Sequence, residues 1–307
     1  MLFANRKPAR RRAFIRLVRY DDLRMGYYLD LALRTRWRVF LQQLRRCRRR
    51  CSEPAVHDLR VATRRVIAAL DLLQTIAPSG SIEKTRRQFR RILKTMGPLR
   101  DTQVQLLRVK EMLPGFSSLE LFYTVLMLRE RRILKQIAQQ LMKVNQRQLR
   151  TNFTQCLFHM RRLCRNVHVR GAVETALEGA LAAAYARVAS MRNQLGRRNP
   201  AAVHKMRVAF KKFRYVSEIL HPDVERNVRK AMNAYQTTMG DLHDVEVLQE
   251  NVKTFAAQQP QPTILMPVQQ ELDRQLTQKM IEFMKSASKF HSFYSMDTTT
   301  LLRNRDA

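Results

Sequence analysis

Two stretches of this chain carry a histidine followed by cations at helical spacing. In VHKMRVAFKKFRY, residues 203–215, His204, Arg207, Lys211 and Arg214 fall within roughly an 80° arc when placed at 100° per residue. The apolar seam of Val203, Met206, Phe210, Phe213 and Leu220 begins where that arc ends. A solvated helix face usually lies opposite the core and mixes both signs. This one borders the core and carries one sign, an arrangement suited to gripping phosphate oxygens. Arginine's planar fork does so bidentately, which an ammonium group cannot.

The same pattern occurs earlier. VHDLRVATRRVIAAL, residues 56–70, aligns with the later stretch so that His204 lies 147 positions after His57. Val56, His57, Arg60, Val61 and Ala62 match identical residues, and Arg64 and Arg65 match Lys211 and Lys212. His57, Arg60 and Arg64 share one arc beside the seam Val56, Leu59, Val66, Leu70 and Leu73, while Arg65 and Lys212 lie on the flank. Each copy is followed by a second block, MGPLRD at 96–101 and MGDLHD at 239–244, with Gly240 lying 143 positions after Gly97. Two matched blocks in the same order argue for duplication of a four-helix unit, hence a tandem of helical bundles with pseudo-twofold symmetry. If the halves pack about that axis, the two basic faces meet and line a groove or channel. In the MG blocks, Gly97 and Gly240 are expected to allow a tight bend between helices. Asp101 and Asp244 would cap the next helix or orient a nearby cation.

A third basic face comes from Arg87, Arg90, Arg91 and Lys94, spaced i, i+3, i+4 and i+7. Like charges at this spacing weaken an isolated helix by a few tenths of a kcal/mol per pair, a cost that a counter-anion would offset. The chain as a whole is similarly lopsided. Its 58 Lys plus Arg against 25 Asp plus Glu give a net charge of +33. Such a balance costs self-repulsion in the compact state and points to a polyanionic partner. Disorder is not the reading for most of the chain, because 45% of the residues are hydrophobic and they recur periodically.

The positioning elements are helices almost throughout, at about 20–50, 53–77, 81–96, 99–112, 117–145, 149–165, 171–196, 200–221, 223–239, 241–257 and 268–290. Ser117 with Glu120 reads as a capping box, and Ser52 and Asn199 as matched caps. Sustained period-2 alternation is absent, so the fold class expected is all-α. Residues 1–18, which include RKPARRR, read as a basic, flexible arm, with an organelle transit peptide as the alternative. A single domain is expected over 19–290, with halves at about 19–165 and 171–290, followed by a flexible tail at 291–307.

Other chemistry is poorly supported. Cys156, His159, Cys164 and His168 tempt a zinc reading, but on one helix residues 156 and 168 stand roughly 18 Å apart. Cys47, Cys51, Cys156 and Cys164 form no C-x-x-C pair and read as reduced thiols of a cytoplasmic protein. No apolar run is long enough to span a bilayer. Walker A, HExxH, GxSxG and ExExK signatures are missing, and no metal or cofactor is expected. Aromatic platforms for single-stranded nucleic acid are thin, since the aromatics on the basic helices fall on the apolar seams.

The two H-x-x-R-x-x-x-[RK]-[RK] helices, each followed by [LM]-G-x-L-x-D, resemble the CHAD family, the conserved-histidine α-helical domain, over about residues 19–290. The first copy departs at Ile67, where the second has Arg214. The resemblance implies two four-helix bundles about a pseudo-twofold axis with a basic central channel, and inorganic polyphosphate as the ligand. It implies binding rather than catalysis, and association with polyphosphate granules. The site residues that follow are His57, Arg60, Arg64, Arg65, Arg87, Arg90, Arg91, Lys94, His204, Arg207, Lys211, Lys212 and Arg214. Two alternatives stand beside this reading: a protein that binds nucleic-acid backbones non-specifically, and an enzyme that processes polyphosphate through His57 or His204.

Overall fold

A computed structural model describes residues 24–195, 200–224 and 226–293. Among them the chain forms ten α-helices and no strand, which is the all-α class expected. The first six are α1 (Arg24–Arg49), α2 (Glu53–Ile76), α3 (Gly80–Thr95), α4 (Gly97–Met112), α5 (Glu120–Met142) and α6 (Gln146–Arg165). The remaining four are α7 (Arg170–Asn193), α8 (Pro200–Leu220), α9 (Arg226–Ala256) and α10 (Met266–Ser286). The arm at 1–18, the cap at Asn199 and residues 294–307 of the tail lie outside the described residues.

Two expectations need correction. The stretches read as separate helices at 223–239 and 241–257 form one continuous helix, α9, through Gly240. In the first half the matched block does divide two helices, α3 ending at Thr95 and α4 beginning at Gly97. The difference is Pro98 against Asp241. Proline has no N–H, and its ring clashes with the carbonyl four residues back, whereas Asp241 keeps the ladder running. The capping box at Ser117 does not form either. Ser117 opens a 3-10 turn, Ser117–Leu119, so Glu120 becomes the first residue of α5 and cannot reach back from the third position. Ser52 occupies the N-cap of α2 in extended backbone, but its side chain makes no capping bond.

The start of α1 is capped from elsewhere in the chain. Glu174 of α7 accepts hydrogen bonds from the Met25 and Gly26 backbone N–H groups at 3.0 and 2.8 Å. A carboxylate at a helix N-terminus satisfies orphan donors and complements the helix dipole. It also ties the two halves together.

Packing places four helices at the centre. α1, α2, α7 and α8 each touch the other three, two from each half of the sequence. The larger apolar core wraps this group. Within it Trp37 stacks on Phe153 at 4.5 Å between ring centroids, with Phe89 edge-on to both. A smaller core joins α4 and α5 to α9 and α10 through Val109, Phe122, Leu126, Val245, Leu248, Val268 and Leu272. Four helices, α4, α5, α9 and α10, run from one core to the other. Along α4, Leu99 belongs to the larger and Val109 to the smaller, with Thr102, Gln103 and Gln105 buried between them. Along α9 the change falls between Leu242 and Val245, beside Asp241 and Asp244.

If Pro98 is what separates α3 from α4, then Asp241→Pro should destabilise the fold by about 3 kcal/mol, read as a lowered urea midpoint. Asp241→Ala, which removes only a partly exposed ion pair, should cost under about 1 kcal/mol. Equal effects would assign the break to something other than proline.

Candidate anion-binding site

The seam of α2 (Val56, Leu59, Val66, Leu70, Leu73) and that of α8 (Val203, Met206, Phe210, Phe213, Leu220) are buried. Burying them sets the rotation of both helices, and the adjoining arc then faces the partner helix. Arg60 and Arg64 of α2 thereby come within electrostatic reach of Arg207 and Lys211 of α8. All four are half-buried.

The cost of this crowding shows in the titration of the groups. Burial pushes the Lys211 ammonium down to about 7, and repulsion from Arg207, Arg64 and Arg60 adds to it. Burial, with Arg64 next, lowers Arg60 to about 10, and Arg207 falls in the same direction for the same leading reason. Loss of hydration disfavours a charged form, and like charges nearby disfavour it further.

Acidic groups answer part of the charge. Asp101 favours the Arg60 guanidinium, while Asp244 and Asp241 favour that of Arg207. Asp244 is itself raised, because burial outweighs the arginines around it. Asp241 also accepts from Arg108 at 3.4 Å. Asp244 lies inside α9 and Asp101 inside α4, so neither caps a helix; each faces a cation.

The glycines of the two blocks do not perform the task expected of them. No glycine among the described residues has positive φ, so a tight bend is not what Gly97 and Gly240 provide. A Cβ built on Gly240 would stand 3.3 Å from Arg207 Nη2, and one on Gly97 would stand 3.9 Å from Arg60 Nη1. At Gly240 the missing side chain leaves room for the arginine of the H-x-x-R motif, whereas at Gly97 a side chain would meet Arg60 only at ordinary contact distance.

The histidines differ. His204 packs on His243 of α9 with ring centroids 4.1 Å apart, and His243 Nδ1 lies 3.3 Å from a Glu246 carboxylate oxygen. Burial, then His243 and Arg207, hold His204 below the ordinary imidazole range. Its Nδ1 is buried without a partner, as is Nε of Arg207. His57 is exposed.

A model of the CHAD domain matches residues 31–253. The chain belongs to the CHAD-domain family. Its fold is similar to the crystal structure of a CHAD domain from the plant Ricinus communis, at a TM-score of 0.68 and 18% identity over 89% of this chain and 92% of that one. It is also similar to PptA from Streptomyces chartreusis, at 0.67 and 17%, over 86% of this chain and 99% of the other. No curated protein sequence matches it. CHAD domains are linked to polyphosphate, which gives the chain a polyphosphate-related role.

Of the residues singled out in this CHAD protein, Arg60, Arg64, Arg207 and Lys211 converge, with His204 beside them. Arg65 and Lys212 are exposed, and the Arg65 carbonyl accepts from Arg36 Nη1 at 2.9 Å. Arg214 hydrogen-bonds to Asn233 and pairs with Glu218 at 3.0 Å, so its charge is already met. On α3, Arg90 pairs with Asp71 at 3.2 Å and Arg87 approaches Glu83 at 3.9 Å, while Arg91 and Lys94 are exposed. The counter-charge expected for that face is therefore partly the protein's own.

Three arginines escaped notice in the sequence. Arg100 lies among Arg60, Arg207 and Asp244, and aligns with His243 at the second variable position of the MG block. That alignment was the available signal. Arg108, a salt-bridge partner of Asp241, and Arg36, lowered to about 10 chiefly by burial with Glu218 and Arg65 nearby, belong to no repeat.

Lys211→Met should raise the melting temperature, because it removes a cation held against burial and repulsion. The folded group titrates near 7, below the usual lysine value of about 10.4. Linkage then makes the penalty full at and below pH 7 and lets it fade as pH rises toward the unfolded value. Thermal unfolding of the variant and parent should differ more at pH 6 than at pH 9.5. A difference that grows with pH would contradict this electrostatic account.

Proposed function

We propose that this CHAD protein binds inorganic polyphosphate non-catalytically, on the cations that α2 and α8 bring together. The observation that carries the reading is Lys211 among Arg60, Arg64 and Arg207. Four half-buried cations from two helices share one space, and the nearby carboxylates only partly offset them. A run of phosphates supplies about one charge per unit and has no base edges to be read. It suits a site built of guanidinium forks and one ammonium group. Bound phosphate oxygens would favour the charged form of Lys211 and lower the mutual repulsion of the arginines. His57, at the exposed edge of the same arc, and His204 extend the positive stripe when protonated. The same binding would bring the protein to polyphosphate granules in the cytoplasm.

The carboxylates beside the cluster argue for binding rather than turnover. Asp241 is held by Arg108, and Asp244 sits amid Arg207, Arg100 and Arg108. Guanidinium groups ranged around a carboxylate repel the divalent cation that phosphoryl chemistry would need to be held there. Incubation of long-chain polyphosphate with the protein and Mg²⁺ or Mn²⁺ should release no orthophosphate at enzymatic turnover. Release that disappears in a His57→Ala/His204→Ala variant would overturn the non-catalytic reading.

Hydrogen bonds to charged groups contribute about 1.5–3 kcal/mol each. Arg60→Ala/Arg207→Ala should therefore weaken polyphosphate binding on the order of a hundredfold or more in isothermal titration. Helicity should be retained, since neither side chain belongs to an apolar seam. Arg131→Ala/Arg132→Ala removes the same formal charge from exposed positions on α5 and should change affinity far less. Equal losses would show that net charge, rather than this site, governs binding. Affinity should also fall steeply with salt, as each phosphate contact releases counterions.

A further inference from the structure

The outward face of α6 carries a combination that the polyphosphate reading does not use. Phe158 is 65% exposed and lines a surface groove of about 520 Å³ with Arg161, Arg162 and Arg165. The spacing i, i+3, i+4 and i+7 puts all four on one face. That face lies opposite Phe153, Cys156 and Met160, which are fully buried. Phe158 thus sits where a helix of this kind turns directly to solvent, and an aromatic ring there contributes nothing to the core. Helix α6 holds five arginines and no acidic residue. None of the five forms a salt bridge within the described residues. Arg162 and Arg165 in the last turn complement the helix dipole. The dipole accounts for neither Arg161, nor Arg147 and Arg150 near the other end, nor the exposed ring.

We infer that this face binds single-stranded nucleic acid, with a base stacked on Phe158 and the backbone held by Arg161, Arg162 and Arg165. An unpaired base has a π-face to offer the ring, and its flanking phosphates suit the forks. Polyphosphate has no such face and gains nothing from a phenylalanine. A membrane surface would use several apolar side chains at one level, whereas this groove presents a single ring framed by cations. The site is separate from the cations of α2 and α8, because α6 packs on α1, α3 and α7 and turns this face away from them.

Fluorescence anisotropy with labelled dT20 tests the proposal at physiological salt. Base stacking on an aromatic side chain predicts that Phe158→Ala weakens dT20 five- to about a hundredfold, with polyphosphate affinity unchanged. An abasic 20-mer should bind the parent protein about as weakly as dT20 binds that variant. Phe158→Trp gives a local readout, because the one native tryptophan, Trp37, is on α1, partly buried and stacked on Phe40 and Phe153. Saturating dT20 should quench the added fluorescence, and saturating polyphosphate should not. Equal affinity for dT20 and the abasic strand, or no quenching by dT20, would overturn the proposal and leave a groove that senses charge alone. Binding to phosphatidylserine vesicles that Phe158→Ala abolishes, with dT20 affinity untouched, would overturn it in favour of a lipid surface.

Discussion

Like charges held together out of water repel each other and lose their hydration, and four of them meet where α2 faces α8. Left alone, Arg60, Arg64, Arg207 and Lys211 would drive those helices apart. The apolar seams beside them prevent this. Val56, Leu59, Val66 and Leu70 on one helix and Val203, Met206, Phe210 and Phe213 on the other are almost completely removed from solvent. Each such side chain stabilises the fold by about 1.5–3 kcal/mol on burial. The sum exceeds the repulsion by enough to hold the cations in place. A lysine that titrates near 7 reports how much of that stability the cluster consumes.

The rest of the architecture follows from keeping this arrangement fixed. Four helices that all touch one another give α2 and α8 no freedom to rotate their charged arcs away. Glu174 ties the start of α1 to α7 across the chain. Gly240 lets α9 approach Arg207 closely, and α4 and α9 bring Asp101, Asp241 and Asp244 to the cluster. The duplicated blocks therefore work as pairs: each H-x-x-R arginine meets the glycine and the aspartate of the block that follows it in its own half.

The pairs are not equivalent, and the differences are physical. The second half has a continuous helix through its block, a tighter glycine–arginine contact, and a histidine pair with a carboxylate beside it. The first has a proline break, an arginine where the second has His243, and an exposed His57. The histidine is half-buried against a partner ring in the second half and exposed to solvent in the first.

Sequence alone was enough for the all-α class, most helix boundaries and the repeat, and it named the four cations that converge only as members of a set of thirteen. Each of these depends on local periodicity, and a seam bordered by charges specifies which side of a helix is buried whatever it is buried against. Periodicity is silent about partners. It did not reveal that Asp71 and Glu83 meet part of the α3 charge, that Glu218 and Asn233 occupy Arg214, that Arg36 lies buried beside Glu218 and Arg65, or that Arg100 lies close to the site. It also misread Gly240 as a bend, since only the packed arginine shows that a Cβ there would crowd Arg207. A charged face looks the same in one dimension whether an acid, another helix or water lies across from it. That choice belongs to the tertiary structure, because it is made by groups far apart in the chain whose separation the core alone determines.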